Sequence, residues 1–329
     1  MHSVLSCLVT DVIGPASIAE DLVATVAAEF DLEGGIALRE YIRSVEIVGR
    51  ALGLEPGDRV ILSPLAPGIY RRALEGLGVE IVVADVREED ACLDPRAVSE
   101  CLDDSVKAIF VHAPYGRIPD LGALEDLGVP VVNDIGEALG ARDAKGELGA
   151  RGRYVLLPME ANGIATAGGG TLVLAADKAA LSTLNAAAGN LSADAFLPDL
   201  NASLGLVQWR EYPQFLESRD LIADAYRRAL MKGRHRTLAD PRDEDARAIP
   251  YSFPVVLESG LKEVRRYARK KGIETQSAFS GRVMDGAAGS EETCPTARTL
   301  MMGTVLFPLY PALGKKNVQL IVKVLSTLP

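Results

Sequence analysis

The stretch Pro130–Gly170, PVVNDIGEALGARDAKGELGARGRYVLLPMEANGIATAGGG, decides the fold because two buried strands and a glycine-rich loop are readable in it. The apolar run Val129–Val132 overlaps its start and leads to Asp134, as a buried parallel strand does when it brings a carboxylate to the ligand-binding edge of a sheet. A second apolar run, Tyr154–Leu157, is followed by Glu160 and then by glycines. The pattern predicts two strand ends and a loop around one cavity, with Asp134 as a candidate site residue.

Two simpler interpretations stand beside this prediction. An aspartate after a strand is more often a helix cap or a turn residue than a residue that binds a cofactor. The run Gly168–Gly170 has neither the dinucleotide-binding nor the P-loop spacing, so by itself it indicates only a turn. The pattern alone leaves the role of Asp134 open.

Composition and charge exclude several classes of function. The chain has 329 residues, of which 48% are hydrophobic and 24% charged, as in an ordinary globular protein. A formal net charge of −10 without long Lys/Arg runs argues against nucleic-acid binding. The start, MHSVLSCLVTDVIGPAS, has no basic segment and no apolar run long enough to span a membrane. We therefore expect a cytoplasmic protein with neither nucleic acid nor membrane as a partner.

The cysteines and histidines indicate no metal centre. There are only three histidines, and the four cysteines lack the paired spacing of zinc sites. Their scatter does not suggest a disulfide framework either. We expect no metal and reduced, mostly buried thiols at Cys7, Cys92, Cys101 and Cys294.

Strands and helices alternate along the first half of the chain. Repeated units of this length imply a mostly parallel central sheet that helices cover on both faces, so the predicted fold class is α/β. The predicted strands are Arg59–Leu62, Val79–Val83, Lys107–Val111, Val129–Val132 and the run from Tyr154, and the predicted helices are Ala16–Phe30, Leu38–Leu52, Ile69–Leu77, Asp94–Leu102 and Leu121–Leu127.

The pattern changes after a long helical region, Leu197–Leu230. Gly233 is its predicted C-terminal cap, and the basic, proline-interrupted segment 234–250 reads as an exposed connection. Beyond it, two strands and two helices make a smaller α+β unit. The predicted organisation is a large domain over residues 1–233 and a small C-terminal domain over residues 234–329.

Several segments together resemble the DegT/DnrJ/StrS family of nucleotide-sugar aminotransferases, which are pyridoxal-phosphate enzymes of the aspartate-aminotransferase fold (fold type I). Their order and spacing are similar to the family's along nearly the whole chain. These segments are LGLEPGDRVIL (52–62), LDPRAVSECLDDSVKAIFVHAPYGRIPDL (93–121), VVNDIGEALGA (131–141), SLGLVQW (203–209) and VLFPLYPAL (305–313). The resemblance implies a mixed central sheet, a smaller C-terminal domain and a homodimer.

The resemblance also assigns positions to the family's cofactor-binding residues. Asp134 matches the family's aspartate at the pyridine nitrogen, where an acid lets the ring act as an electron sink. Glu137 stands where the family has glutamine. Glu160 stands where the family has the lysine that forms the Schiff base, and a carboxylate cannot form an imine.

The phosphate-binding residues of the family are also replaced. The matching segment, Ala37–Ile42, has none of the Ser, Gly or Thr residues that would bind the phosphate. Losing about three hydrogen bonds to a charged group, at roughly 1.5–3 kcal/mol each, removes several decades of affinity. From the sequence we therefore expect no cofactor, with Asp134 and Glu137 as a vestigial cofactor site.

These residues give two hypotheses for the function. The first is a homologue that does not carry out pyridoxal-phosphate transamination and serves as a ligand-binding protein or noncatalytic subunit, with a nucleotide-sugar-like molecule as a possible ligand. The alternative is an active family aminotransferase that uses pyridoxal phosphate to make amino sugars, or an enzyme with new acid/base chemistry on Asp134, Glu137 and Glu160. Whether the chain is an enzyme stays open at this level.

Overall fold

The chain is built on a mixed seven-stranded sheet. The computed structural model describes residues 2–10, 13–241, 243–258, 260–286 and 293–329. The strand order is β1-β9-β8-β5-β4-β2-β3, in which β9 runs antiparallel to β1 and β8 and the remaining neighbours are parallel. These strands are β1 Gly34–Leu38, β2 Arg59–Leu62, β3 Glu80–Val83, β4 Val106–His112, β5 Val131–Asp134, β8 Tyr154–Pro158 and β9 Thr171–Ala175, and the short hairpin β6 Arg142–Asp143 with β7 Gly146–Glu147 lies outside the sheet. The predicted α/β class with a mixed sheet is confirmed.

Helices cover both faces of this sheet because its strands are apolar on both sides. One buried cluster packs α2 against one face through Leu22 and Val26, and a second packs α3 and α4 against the other through Val45 and Leu74. The helices are α1 His2–Thr10, α2 Ser17–Glu29, α3 Tyr41–Ala51, α4 Ile69–Gly76, α5 Pro95–Cys101, α6 Leu121–Glu125, α7 Lys178–Ala188, α8 Asp199–Leu230, α9 Leu261–Lys270, α10 Pro295–Gly303 and α11 Lys315–Leu325.

A second, antiparallel sheet lies in the C-terminal part. Its order is β10-β11-β13-β12, with β10 Arg236–Thr237, β11 Phe253–Val256, β12 Gln276–Ser277 and β13 Thr304–Phe307. Its core joins residues of β11 and β13 to residues of α9, α11 and the end of α8. A domain boundary after residue 233 stays a prediction.

The structure corrects two predicted elements. The helix expected over Leu38–Leu52 begins only at Tyr41, because Gly34–Leu38 forms strand β1 against β9. The segment 234–250, expected to be an exposed connection, contains β10 and the fully buried side chains Leu238 and Ile249. Both errors arise because pairing with a distant strand or core outweighs the local pattern.

Ile249 is buried by a close backbone approach to the loop after β4. Its backbone N–H donates to the Gly116 carbonyl at 3.1 Å, and a Cβ on Gly116 would lie 2.0 Å from the Ile249 carbonyl oxygen. Gly116 also has a φ of +80°, which glycine adopts without strain. This contact brings Tyr251 towards the carboxyl ends of the strands.

A backbone contact also joins the segment after β12 to the loop after β2. Gly68 N–H donates to the Gly281 carbonyl at 2.9 Å, and Val283 N–H donates to the Ala66 carbonyl at 2.9 Å. The same pairing fixes Arg282 opposite Pro67. A residue far along the chain is thereby placed at the edge of the large sheet.

Candidate functional site

The site lies where three parallel strands end side by side. Register pairs His112, the last residue of β4, with Asp134, the last residue of β5, and pairs Asp134 with Leu156 of β8. The carboxyl ends of neighbouring parallel strands are the usual place for ligands in an open α/β sheet. His112 and Asp134 are therefore adjacent for a structural reason, namely the register of the sheet.

Asp134 is buried and accepts hydrogen bonds on both carboxylate oxygens. Oδ2 accepts from the hydroxyl of Tyr70 at 2.6 Å and from the hydroxyl of Tyr41, and Oδ1 accepts from the Gly136 N–H at 2.8 Å. Burial, followed by the charge of Asp134, raises the pKa of both phenols well above their ordinary value, so both stay protonated donors. Asp134 is thus a fully satisfied buried acceptor.

Glu137 is the centre of a second cluster of charged groups. Its carboxylate accepts from Arg282 Nη2 at 3.0 Å and from the Tyr115 N–H at 2.8 Å, and it lies 3.5 Å from His112 Nε2. Arg282 also lies over the rings of Tyr115 and Phe279, with its guanidinium carbon 5.5 and 5.9 Å from their centroids. Burial alone would raise the pKa of Glu137, but Arg282, His112 and the Tyr115 N–H hold it well below its usual range.

This low pKa gives a pH-dependent prediction for Glu137→Gln. A depressed folded-state pKa contributes stability above the unfolded-state pKa, about 4.3, and that contribution is lost as the pH falls towards the folded-state value. Denaturant unfolding should therefore show a wild-type advantage that is constant near neutral pH and shrinks below about pH 4.5. An advantage that persists unchanged into stronger acid would contradict the ion pair with Arg282.

Glu160 follows β8 and lies half-buried in the lining of a small pocket that Asp134 and Glu137 also line. Its side chain has no hydrogen bond or ion pair to any residue that the structure describes. The pocket has a volume of about 110 Å³ and brings the three predicted acids together. It is lined by Tyr41, Pro67, His112, Asp134, Gly136, Glu137, Pro158, Glu160, Asn162, Gly163 and Tyr251.

No lysine is among these lining residues. Lys145 packs beside Gly122 of α6, and Lys178 is the first residue of α7. The segment matched to the family's phosphate-binding residues forms the end of β1 and the start of α3, where it contributes the Tyr41 phenol to the pocket. Within the described part of the chain, an amine for an imine is therefore absent from this pocket.

The sequence prediction missed four polar residues of the site. His112 could have been predicted in the same way as Asp134, because it is a polar residue at the end of the neighbouring parallel strand. Tyr41, Tyr70 and Arg282 come from helices and loops distant in sequence, and no local pattern marks them. Among the described residues, no group of three His, Cys, Asp or Glu side chains is arranged to hold a metal, and no helix is long and apolar enough to cross a membrane.

The sheet order, with a site at the ends of β4, β5 and β8, defines an aminotransferase-type α/β fold. The profile of the DegT/DnrJ/EryC1/StrS aminotransferase family matches residues 35–326, and the chain belongs to this family. The resemblance seen in the sequence is thereby confirmed.

Two curated relatives have informative names. The chain is 26% identical to "L-glutamine:2-deoxy-scyllo-inosose aminotransferase" of Micromonospora echinospora over 82% of this chain, although the match spans only 65% of the relative. It is 22% identical to a "Pleiotropic regulatory protein" of Geobacillus stearothermophilus over 92% of this chain and 87% of the relative. The chain thus spans slightly less than two thirds of the first relative and most of the second.

Solved structures confirm the fold. The aminotransferase TlmJ from Streptoalloteichus hindustanus superposes with a TM-score of 0.91 at 22% identity, over 99% of this chain and 94% of that one. The putative sugar aminotransferase Spr1654 from Streptococcus pneumoniae, solved in a PLP form, gives 0.88 at 18% identity, over 99% and 94%. At these identities the likeness shows the fold alone.

The prediction that the protein has no cofactor is contradicted by the family. The matched family is one of aminotransferases, and structures of the same fold were solved in PLP and PMP forms. The prediction rested on the missing lysine and on the replaced phosphate-binding residues, and neither replacement excludes binding of the cofactor through other contacts. Because no lysine is among the described lining residues, this pocket does not fit a lysine-linked cofactor.

Proposed function

We propose that this chain works in the amino-sugar chemistry of its family and binds an amine-bearing sugar or cyclitol at the Asp134 pocket. Family membership and the named relatives support the sugar or cyclitol part of this proposal. The observation that carries the amine is the pocket's charge. Arg282 neutralises Glu137, but no cation among the described residues neutralises Asp134 or Glu160.

The charge balance of the pocket favours a cationic ligand. The carboxylates of Asp134 and Glu160 leave the pocket negative, since Glu137 is paired with Arg282. An ammonium group about 4 Å from a carboxylate gains about 4 kcal/mol at the effective dielectric constant of a partly exposed site. Glu160, half-buried and without a partner among the described residues, would receive such a group, while the Tyr41 and Tyr70 phenols hold Asp134 in the same pocket.

A matched pair of sugars tests this proposal. Glucosamine and glucose differ at one carbon by an ammonium group in place of a hydroxyl, so we expect glucosamine to raise the melting temperature more. The Glu160→Gln variant should reduce this difference, because it removes a charge without changing the side-chain size. Equal responses to the two sugars in the wild type would refute the amine preference.

Transamination is the second candidate, and the comparisons favour it over a noncatalytic role. The relatives include two enzymes named for amino transfer from L-glutamine to an inosose. In this reaction the cofactor carries the amino group between donor and acceptor. The Asp134 pocket would bind and orient the acceptor, while the absence of a lysine from its described lining and the replaced phosphate-binding residues support a noncatalytic role.

Absorbance and mass spectrometry distinguish these candidates. The protein is incubated with pyridoxal phosphate, reduced with borohydride and digested. We expect no lysine peptide of the wild type to be modified stoichiometrically, since no lysine is among the pocket's described lining residues. A stoichiometric adduct on one lysine, together with turnover of L-glutamine, would establish transamination instead.

We also expect a homodimer. The resemblance implies one, and α1 leaves Leu5, Leu8 and Val9 exposed, which is an apolar face that a partner can cover. Light scattering after gel filtration should give about twice the chain mass of 35.0 kDa. A mass of one chain at micromolar concentration would contradict this prediction.

A further inference from the structure

The C-terminal part carries a basic groove that the sugar-binding proposal does not use. The groove, which we call the α9 groove, lies between α9 and the strands β12 and β13 and has a volume of about 1050 Å³. It shares no lining residue with the Asp134 pocket. Its lining residues are Ser252, Leu261, Lys262, Arg265, Arg266, Arg269, Ile273, Glu274, Thr275, Gln276, Leu306, Phe307, Pro308, Leu309 and Tyr310.

Four cations line this groove along one side of α9. Lys262, Arg265, Arg266 and Arg269 follow the i, i+3, i+4, i+7 spacing that puts residues on one helix face. They extend over about 10 Å of helix at 1.5 Å per residue. Glu274 is the one carboxylate in the lining, so four positive charges face one negative charge in a chain whose net charge is −10.

These four cations make few interactions with the rest of the described protein. Arg265 donates to Ser277 Oγ at 3.1 Å and is held against β12. Arg266 lies 4.0 Å from Glu263, whose side chain is exposed, and such a contact contributes little. Lys262 and Arg269 have no ion pair with any described residue. The groove therefore presents at least two positive charges, those of Lys262 and Arg269, that have no ion-pair partner among the described residues.

We propose that the α9 groove binds a diphosphate group carried by a small molecule. A phosphate group carries about −1.5 to −2 charges near neutral pH, so a diphosphate at about −3 balances the groove. Arginine side chains suit phosphate oxygens because their fork of N–H donors matches them. A long polyanion fits less well, since beyond the groove it would meet a surface of net negative charge.

The walls of the groove suit a small molecule. Phe307 and Ile273 are buried and close its floor, while Tyr310 is 46% exposed. An exposed aromatic ring next to a phosphate site can stack on a planar base. The diphosphate can therefore come from inorganic pyrophosphate or from a nucleoside diphosphate, and the two sources are separable by experiment.

Calorimetric titration with inorganic pyrophosphate tests the proposal. The Arg266→Ala/Arg269→Ala variant should bind at least about tenfold more weakly, because two charged hydrogen-bond donors are lost. The matched control is Lys315→Ala/Lys316→Ala, which removes the same charge from exposed residues outside the groove and should leave the affinity within about twofold. Circular dichroism of both variants confirms that they are folded.

Two results would overturn the assignment. One is the absence of measurable binding to the wild type at low salt, and the other is equal affinity in the arginine variant and the lysine control. A parallel titration with ADP and Tyr310→Ala identifies the source. If Tyr310→Ala weakens the binding of ADP but not of pyrophosphate, a nucleotide is the source of the diphosphate. If the wild type binds ADP and pyrophosphate with equal affinity, the groove recognises the diphosphate alone.

Discussion

Replacing Arg282 by alanine is expected to lower the free energy of unfolding by about 3–5 kcal/mol. The substitution leaves the Glu137 carboxylate in a site that is 16% exposed, without the cation that holds its pKa low. It also removes the stacking of the guanidinium on Tyr115 and Phe279. Urea unfolding followed by the fluorescence of Trp209, the one tryptophan of the chain, measures the loss.

The control for this prediction removes both charges. In Glu137→Gln/Arg282→Met no charge is left unpaired, and the longer side chain keeps part of the packing on the two rings. We expect the double variant to lose less stability than Arg282→Ala alone, since breaking a buried pair costs more than replacing it. If the free energy of unfolding of Arg282→Ala were within about 1 kcal/mol of the wild-type value, the Glu137–Arg282 pair would be solvated.

Much of the fold was predictable because its strands are apolar on both faces. Arg59–Leu62 was predicted with the bounds that the structure gives, since it is a buried run bounded by turns. Strand β1 was not predictable in the same way. Its sequence, GGIAL, begins with two glycines and becomes a strand through pairing with β9, which is more than 130 residues further along the chain.

The candidate site was predictable only in part, for a similar reason. Asp134, Glu137 and Glu160 follow strand ends, and the rule for parallel sheets brings such residues together. Arg282 reaches Glu137 because its segment docks on the loop after β2, and the two residues are 145 positions apart. Contacts of this kind depend on the completed fold and leave no periodic pattern in the sequence.

The cofactor prediction failed at a different step. The replacement of the family's lysine by Glu160 concerns one covalent bond, and the absence of that bond stays a prediction. Family membership concerns the whole cofactor, which an enzyme also binds through hydrogen bonds and through a pocket of matching shape. The absence of an imine therefore does not imply the absence of a bound cofactor. A single substitution tests whether the missing amine is what prevents the imine.

Glu160→Lys is expected to create an imine with pyridoxal phosphate where the wild type forms none. The substitution places a primary amine beside the Asp134 pocket, at the position of the family's lysine. Neighbouring carboxylates favour the charged ammonium and raise the pKa of the new lysine, so the adduct should form more completely at about pH 9 than at about pH 7. Visible absorbance follows the imine, and borohydride reduction with peptide mapping locates it.

Glu160→Gln is the matched control for this gain of function. It removes the same negative charge without supplying a nucleophile, so any cofactor that it retains should be removed by dialysis. A reduced adduct at residue 160 in the lysine variant, and none in the glutamine variant, would show that one side chain separates this pocket from covalent attachment. If the folded lysine variant gave no adduct at either pH, the pocket's size and its missing phosphate contacts, more than its missing amine, would be what limits the cofactor.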